Sequence, residues 1–285
     1  MDNITERCLR ITNREHSVDG SVKYLLQTKD NESIESVFIP QKGETKFCIS
    51  CQIGCVNKCA HCATGKLDYI RDLTSEEIIS QVITMVEDNH EIAKKLHVLF
   101  MGMGEPFLNF KNVIQSLYLF EEINIPEEEI TISTIGIIPK IYEYANMKRK
   151  SKLALSFHAT TNEMRDRIIP LNKIYSLHDL IEAAHYYVNK TNNKIIIEYT
   201  IIEGFNDSLQ NAIRLLEILK GLHYEVHLIP FNENSNSIFK MPSDDKVISF
   251  SDYLKKRDIE CKIKRSYGTD IDGGCGQLCF KSTRK

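Results

Sequence analysis

No stretch of this chain approaches the length of unbroken apolar sequence needed to span a bilayer. No secretory leader opens it either, because Met1-Asp2-Asn3-Ile4-Thr5-Glu6 is polar and acidic. A cytoplasmic protein with no membrane partner is expected. Excess charge is missing too: the formal net charge is −3, so the chain as a whole does not announce a polyanionic partner. Nine cysteines, an odd number crowded near both ends of the core and unaccompanied by an export signal, do not read as a disulfide framework. What remains is 285 residues, 42% of them hydrophobic, enough to build a real core, with no internal linker or low-complexity stretch to divide it.

Against these absences stands one dense motif. Gly54-Cys55-Val56-Asn57-Lys58-Cys59-Ala60-His61-Cys62 carries cysteines in the pattern CxxxCxxC. Three thiolates can hold three corners of a cubane iron-sulfur cluster and leave one iron open to a ligand. Two plainer readings compete. The spacing also places the three thiols on one helical face, as ordinary core, but Gly54, Asn57 and Gly65 argue for a loop. Structural zinc could use Cys48-x-x-Cys51 and Cys59-x-x-Cys62, although that leaves Cys55 unused and the spacer between the pairs is short. The cluster is the favoured reading.

Around this motif the pattern alternates. Val22 to Leu26 and Ser36 to Ile39 predict a hairpin. Strands are then predicted at Lys46 to Ile49, Leu96 to Met101, Ile130 to Thr134, Leu153 to Phe157, Lys194 to Ile202 and Glu225 to Ile229, with a further one at Glu260 to Arg265. Helices are predicted near Glu76 to Glu87, Phe110 to Glu122, Pro139 to Met147, Leu177 to Asn189, Ser208 to Leu219 and Lys246 to Lys256. Thr74-Ser75-Glu76-Glu77 has the form of a capping box. Six strand/helix repeats suit an open or partial α/β barrel, with one domain: an N-terminal extension and β-hairpin over 1–44 and a core with a C-terminal tail over 45–285. In such barrels the chemistry sits at the carboxyl ends of the strands. The cysteine loop, Gly102-Met103-Gly104-Glu105-Pro106, Ser133, Ser156-Phe157-His158 and Asn232 all fall there. Glycines beside Glu105 offer close backbone approach to a ligand and a carboxylate that can receive an ammonium group.

Longer runs carry a specific resemblance. They are Phe100-Met101-Gly102-Met103-Gly104-Glu105-Pro106, Leu155-Ser156-Phe157-His158-Ala159, Arg165-Asp166-Arg167-Ile168-Ile169-Pro170-Leu171-Asn172-Lys173, Glu198-Tyr199-Thr200-Ile201-Ile202-Glu203-Gly204-Phe205-Asn206-Asp207-Ser208, Leu228-Ile229-Pro230-Phe231-Asn232 and Asp270-Ile271-Asp272-Gly273-Gly274-Cys275-Gly276-Gln277-Leu278. Together with the cysteine loop, and in this order, they resemble the RlmN/Cfr family of radical S-adenosylmethionine RNA adenine methyltransferases over roughly Val22 to Leu278. The resemblance implies a partial (β/α)6 radical-SAM barrel with an N-terminal β-hairpin extension and a C-terminal cysteine-bearing tail.

It also implies roles. Cys55, Cys59 and Cys62 match the ligands of a 4Fe-4S cluster, and Gly104, Glu105, Ser133, Ser156, His158 and Asn232 match positions that contact S-adenosylmethionine. Cys275 matches the cysteine that is itself methylated, Cys48 its resolving partner, and Glu35 the family's acid/base glutamate. An adenine ring carbon is not nucleophilic, so a radical route through the methyl on Cys275 is implied, with a Cys48–Cys275 disulfide after each turnover. C2 is the default carbon and C8 the alternative, in rRNA or tRNA. An electron donor such as flavodoxin or ferredoxin is expected, and a monomer.

The chain departs from the family in three places. Family members carry a larger helical N-terminal domain that helps to grip RNA, whereas only a short segment precedes the hairpin here, so a short form is expected. His61 stands where the family has Phe, and Cys51 where Ser is usual. The basic runs Lys148-Arg149-Lys150-Ser151-Lys152 and Lys255-Lys256-Arg257 with Lys262, Lys264 and Arg265 read by themselves as solvated helix ends; if RNA is the substrate, Lys148, Arg149, Lys150, Lys262, Lys264 and Arg265 are expected to supply much of the phosphate contact. Two alternatives therefore stand beside the RNA reading: the same radical mechanism on a nucleoside, peptide or small metabolite, and a noncatalytic metal-binding module. Cys8, Cys261 and Cys279 read as ordinary thiols.

Overall fold

The computed structural model describes residues 8–89, 92–234 and 237–279, so the stretch Met1 to Glu6 lies outside the described residues. The chain divides into two compact units, one of residues 1–58, 62–132 and 267–285, the other of residues 59–61 and 133–266.

The first unit opens with an antiparallel meander of β1 (Leu9–His16), β2 (Val22–Thr28), β3 (Ser33–Gln41) and β4 (Glu44–Cys48). β4 then pairs in parallel with β7 (Lys95–Phe100), and β7 with the start of β8 (Ile130–Thr134). Between them the short ladder of β5 (Gln52–Ile53) and β6 (Arg71–Asp72) closes the base of the cysteine loop. The expected hairpin is β2 and β3; β1 extends it by a strand whose Asn13-Arg14-Glu15-His16 half has no apolar alternation, with a register break between Ile11 and Asn13.

Helices α1 (Ser75–Asp88) and α2 (Phe110–Glu122) pack against each other. The capping box at α1 is present: the Thr74 side chain accepts from the Glu77 backbone and the Glu77 side chain from that of Thr74. Inside α1, the fully buried Gln81 amide clamps the strand ends. Its oxygen accepts from the Ser36 hydroxyl and the Ser50 N–H, and its nitrogen donates to the Ser50 carbonyl.

The second unit holds β9 (Lys152–Ser156), β10 (Ile195–Ile201), β11 (Tyr224–Pro230) and β12 (Cys261–Ile263) in one parallel run. Every residue of β10 is buried, which is why it reads as a nearly continuous apolar run. Helices α3 (Ile138–Met147) and α5 (Leu177–Thr191) pack together, as do α6 (Leu209–Ile218) and α7 (Asp244–Lys255). The short α4 (Asn162–Ile168) is additional to the expected set. Read along the chain, β4–α1, β7–α2, β8–α3, β9–α5, β10–α6 and β11–α7 are six strand/helix repeats of an α/β fold, with β12 after them. Among the described residues no helix is long and apolar enough to cross a membrane.

Candidate active site

The cysteine segment is a loop because its backbone admits nothing else. Gly54 has φ +75°, and a Cβ there would meet the Asp68 carbonyl oxygen at 2.0 Å. Lys58, also at positive φ, turns the chain between Cys55 and Cys59. Burial pushes the Cys55 thiol up to about 11; Asn57 hydrogen-bonds to it, while Cys62 and Glu105 raise it further. Cys55 and Cys62 are half-buried and Cys59 is buried; a soft thiol that resists ionisation alone, as Cys55 does, is stabilised as a thiolate by a bound cation, and soft sulfur suits iron. The donors therefore fit an iron-sulfur cluster.

Among the described residues no three His, Cys, Asp or Glu side chains are placed to share a single metal ion. In a cubane each thiolate takes a different iron, so a cluster does not ask for such convergence. The zinc pairing fares poorly for another reason. Cys51 is buried, its thiol held well above the ordinary value by burial, and it donates to the Met103 carbonyl at 3.6 Å, so it serves packing.

The Gly102-Met103-Gly104-Glu105 turn follows β7 as expected, and its glycines are packed closely by the protein itself. A Cβ on Gly102 would lie 2.6 Å from the Ile49 carbonyl oxygen, and one on Gly104, at φ +101°, 2.6 Å from the Gln52 Cβ. Gln52 in turn accepts from the Glu105 N–H at 2.9 Å, and the Glu105 carboxylate accepts from the Phe107 N–H at 2.9 Å. Glu105 is thus buried and aimed by its neighbours.

Glu35 and Cys48 share a face of the meander. Cys48 lies directly opposite Val37, and Glu35 is two residues from Val37 on the same strand. The Glu35 N–H donates to the Met103 sulfur, and its carbonyl accepts from the Ser50 hydroxyl. Its carboxyl is 4% exposed, with Oε2 lacking any hydrogen-bond partner and the Lys23 ammonium 3.6 Å from Oε1. Burial raises it to about 7, opposed by Lys23 and by the Cys279 N–H.

Cys279, read as an ordinary thiol, therefore lies against Glu35, and its own thiol is raised by burial and by the Glu35 charge, with Cys62 a further contributor. The tail reaches this place through fixed contacts. The Ala63 N–H donates to the Gly276 carbonyl and the Thr64 hydroxyl to the Leu278 carbonyl, both at 2.7 Å. Upstream, Gly268 N–H meets Asp19 at 2.8 Å, and Asp270 accepts from the Ser17 hydroxyl and the Val18 N–H. Cys275 is exposed between these anchors, and Cys48 is half-buried.

In the second unit Ser133, Ser156 and Glu198 converge. Ser133 Oγ donates to Glu198 Oε2 at 2.5 Å, Ser156 Oγ is 3.4 Å from the same oxygen, and the two hydroxyls are 3.3 Å apart. His158 takes φ +56°, a left-handed conformation uncommon outside glycine, and Asn206 holds it there. The fully buried Asn206 amide donates to the His158 and Thr200 carbonyls and accepts from the Ile202 N–H. The Thr200 N–H donates to His158 Nδ1 at 3.0 Å, so the neutral ring carries its proton on Nε2.

His61 meets His158 edge-on with ring centroids 4.9 Å apart, and its buried Nδ1 has no hydrogen-bond partner. Burial lowers both imidazoles, His61 to about 4, and each stays uncharged at neutral pH. Arg165 is 1% exposed, donating to the Phe157, Ile135 and Ser156 carbonyls and to Asn172. Burial lowers it to about 10 while the charge of Cys59 raises it, placing a cation beside that thiol. Asn232 is buried just beyond β11, with its amide donating to Ser266 at 2.7 Å.

Glu198, Arg165 and Asn206 have no assigned role in the sequence reading. Glu198 had a signal, a single acid inside Ile195-Ile196-Ile197-Glu198-Tyr199. In the second basic cluster Lys262 pairs with Glu225 at 2.8 Å and Glu260 at 2.9 Å, and Arg265 with Asp244 at 2.9 Å.

Comparison with known proteins gives a consistent result. The Radical SAM superfamily profile matches residues 49–216. A protein of Thermosipho melanesiensis named "Probable dual-specificity RNA methyltransferase RlmN" is 45% identical over 94% of this chain and 78% of its own. The dual-specificity RNA methyltransferase RlmN of Helicobacter hepaticus is 39% identical over 93% and 76%. The crystal structure of a radical SAM methyltransferase from Sphaerobacter thermophilus superimposes with a TM-score of 0.91 at 34% identity, over 95% of this chain and 81% of that one.

Proposed function

Because the chain belongs to the radical SAM superfamily and, within it, to the RlmN family, we infer that it is a radical S-adenosylmethionine RNA methyltransferase acting on an sp2 carbon of adenine, C2 in preference to C8. The observation that carries the RNA reading is the 45% identity extending over 94% of the chain to a relative named for that activity. Cys55, Cys59 and Cys62 would hold the 4Fe-4S cluster, and Gly104, Glu105, Ser133, Ser156, His158 and Asn232 would bind S-adenosylmethionine. Bound there, the cluster would supply the electron for reductive cleavage of S-adenosylmethionine, drawn from a donor such as flavodoxin or ferredoxin.

The chain's own residues do the rest of the work. Cys275, exposed on a tail anchored on both sides, accepts the methyl group and presents it to the base. The Cys48 thiolate attacks the Cys275 sulfur, so that the S–S bond forms as the bond from that sulfur to the transferred carbon breaks and the carbon takes up a proton, and an external thiol reductant reduces the disulfide before the next turnover. Glu35 moves the proton. Its value of about 7 keeps both forms populated near neutral pH, and its unpartnered Oε2 leaves a lone pair for the proton's path.

In this reading residues 1–44 contribute Glu35 and residues 45–285 form the core with its cysteine tail. The protein works as a cytoplasmic monomer. Nucleoside mass spectrometry of rRNA and tRNA from cells with and without the protein tests the proposal: loss of a methyladenosine is expected. An unchanged nucleoside pool would move the reading to the same radical mechanism on a non-RNA substrate.

A further inference from the structure

Ser133, Ser156 and Glu198 form a polar group whose hydrogen-bond directions are constrained. Register sets Glu198 of β10 opposite Ser156 of β9, both buried, with Ser133 half-buried beside them. A hydroxyl has one proton to give and two lone pairs to offer. The 2.5 Å contact commits the Ser133 proton to Glu198 Oε2. The Ser156 proton goes either to that same oxygen at 3.4 Å or to the Ser133 oxygen at 3.3 Å. In both arrangements the two protons are consumed inside the group, and the lone pairs that remain can only accept. Glu198 also holds the strand end by its backbone, since its main-chain carbonyl accepts from the Phe157 and His158 N–H groups.

We propose that Glu198 is a positioning residue for S-adenosylmethionine: by taking the hydroxyl protons of Ser133 and Ser156, it turns both serine oxygens into acceptors that select donor groups of the ligand, the ribose hydroxyls or the α-ammonium. The proposal rests on the reading that these two serines contact S-adenosylmethionine. Glu198 itself acts through them. A ligand group without a proton to donate meets only lone pairs there and is refused.

The test is anaerobic equilibrium binding to the full-length, cluster-reconstituted protein, which reads affinity without turnover. S-adenosylmethionine is compared with analogues lacking the 2′-hydroxyl, the 3′-hydroxyl or the α-amine. Wild type should lose affinity for one of these analogues, which identifies the donor that the serines accept. Glu198→Gln should bind S-adenosylmethionine about tenfold or more weakly, the range of a charge-assisted hydrogen bond, and should no longer distinguish it from that analogue. A purely structural role for Glu198 would weaken all ligands alike and leave the discrimination intact, which overturns the proposal, as does wild-type affinity in Glu198→Gln. Should Glu198→Gln not fold, Ser133→Ala carries the same analogue comparison. If Ser133→Ala and Ser156→Ala both bind S-adenosylmethionine like wild type, the assignment of the serines fails, and the proposal with it.

Discussion

Glu35→Gln is the sharpest perturbation the structure offers. The Glu35 carboxyl is 4% exposed, so solvent does little to screen it. Burial lifts it from 4.5 to about 7, against the pull of Lys23. The folded protein therefore keeps this proton up to about pH 7, whereas the unfolded chain releases it near 4.5. Between those values the native state binds more protons, so this group's contribution to stability is complete below about pH 4.5 and is lost as pH rises through about 7.

At 1.36 kcal/mol for each tenfold change in proton affinity, the loss across that window is about 3 kcal/mol. Urea denaturation of wild type and Glu35→Gln from pH 4.5 to 8 measures it directly. The stability difference between the two proteins should swing by about 3 kcal/mol in favour of the glutamine variant as pH rises. Groups that do not interact with Glu35 cancel in that difference, including Glu198, whose carboxyl is also raised by burial. Parallel curves would refute the reasoning and leave Glu35 an ordinary ionised carboxylate. Rate measurements on the same pair should show an inflection near pH 7 in wild type alone.

Cys59→Ala should abolish reductive cleavage of S-adenosylmethionine by reconstituted protein, and cleavage that persists would remove the cluster assignment. Cys275→Ala should keep its iron and its visible absorbance yet transfer no methyl group, while Cys48→Ala should accumulate RNA joined to the protein, read by intact mass; an unmethylated Cys275 in active protein would rule this route out. RNA affinity across a salt series separates the basic clusters: Lys148→Glu should flatten the slope by about one unit if it contacts phosphate. Lys262→Glu and Arg265→Glu should leave the slope nearly unchanged, because those cations already face Glu225, Glu260 and Asp244.

Much of this was legible in the sequence where one physical signal dominates. The α2 and β8 boundaries fell at Phe110–Glu122 and Ile130–Thr134 as expected, since amphipathic period and apolar alternation both break cleanly there. β1 escaped because an exposed strand with a register break has no buried face to write a period of two into its sequence. Within the site, the motif residues carried their own signal, but the groups that hold them did not. Arg165 sits in a short polar helix where arginines are usually solvated, and only the fold makes it a buried cation ringed by carbonyls. Asn206 follows a strand in a turn, where asparagine is commonplace. That a Cβ at Gly102 or Gly104 would meet Ile49 and Gln52 is likewise a matter of packing between segments. Proximity in space, here between distant strand ends, is the quantity a single sequence does not carry.

The two-sided anchoring of the tail has a kinetic consequence. Cys275 lies on a short span pinned at Gly268 and Asp270 on one side and at Gly276 and Leu278 on the other. A thiol on such a span meets any partner sulfur within its sweep as an intramolecular neighbour, at an effective concentration of roughly millimolar or above. A soluble monothiol would have to approach that level to intercept the pair, so reductants that deliver two sulfurs at once are favoured. Thr64→Ala, which removes one pin, would slacken the span and tilt that competition toward the small thiol.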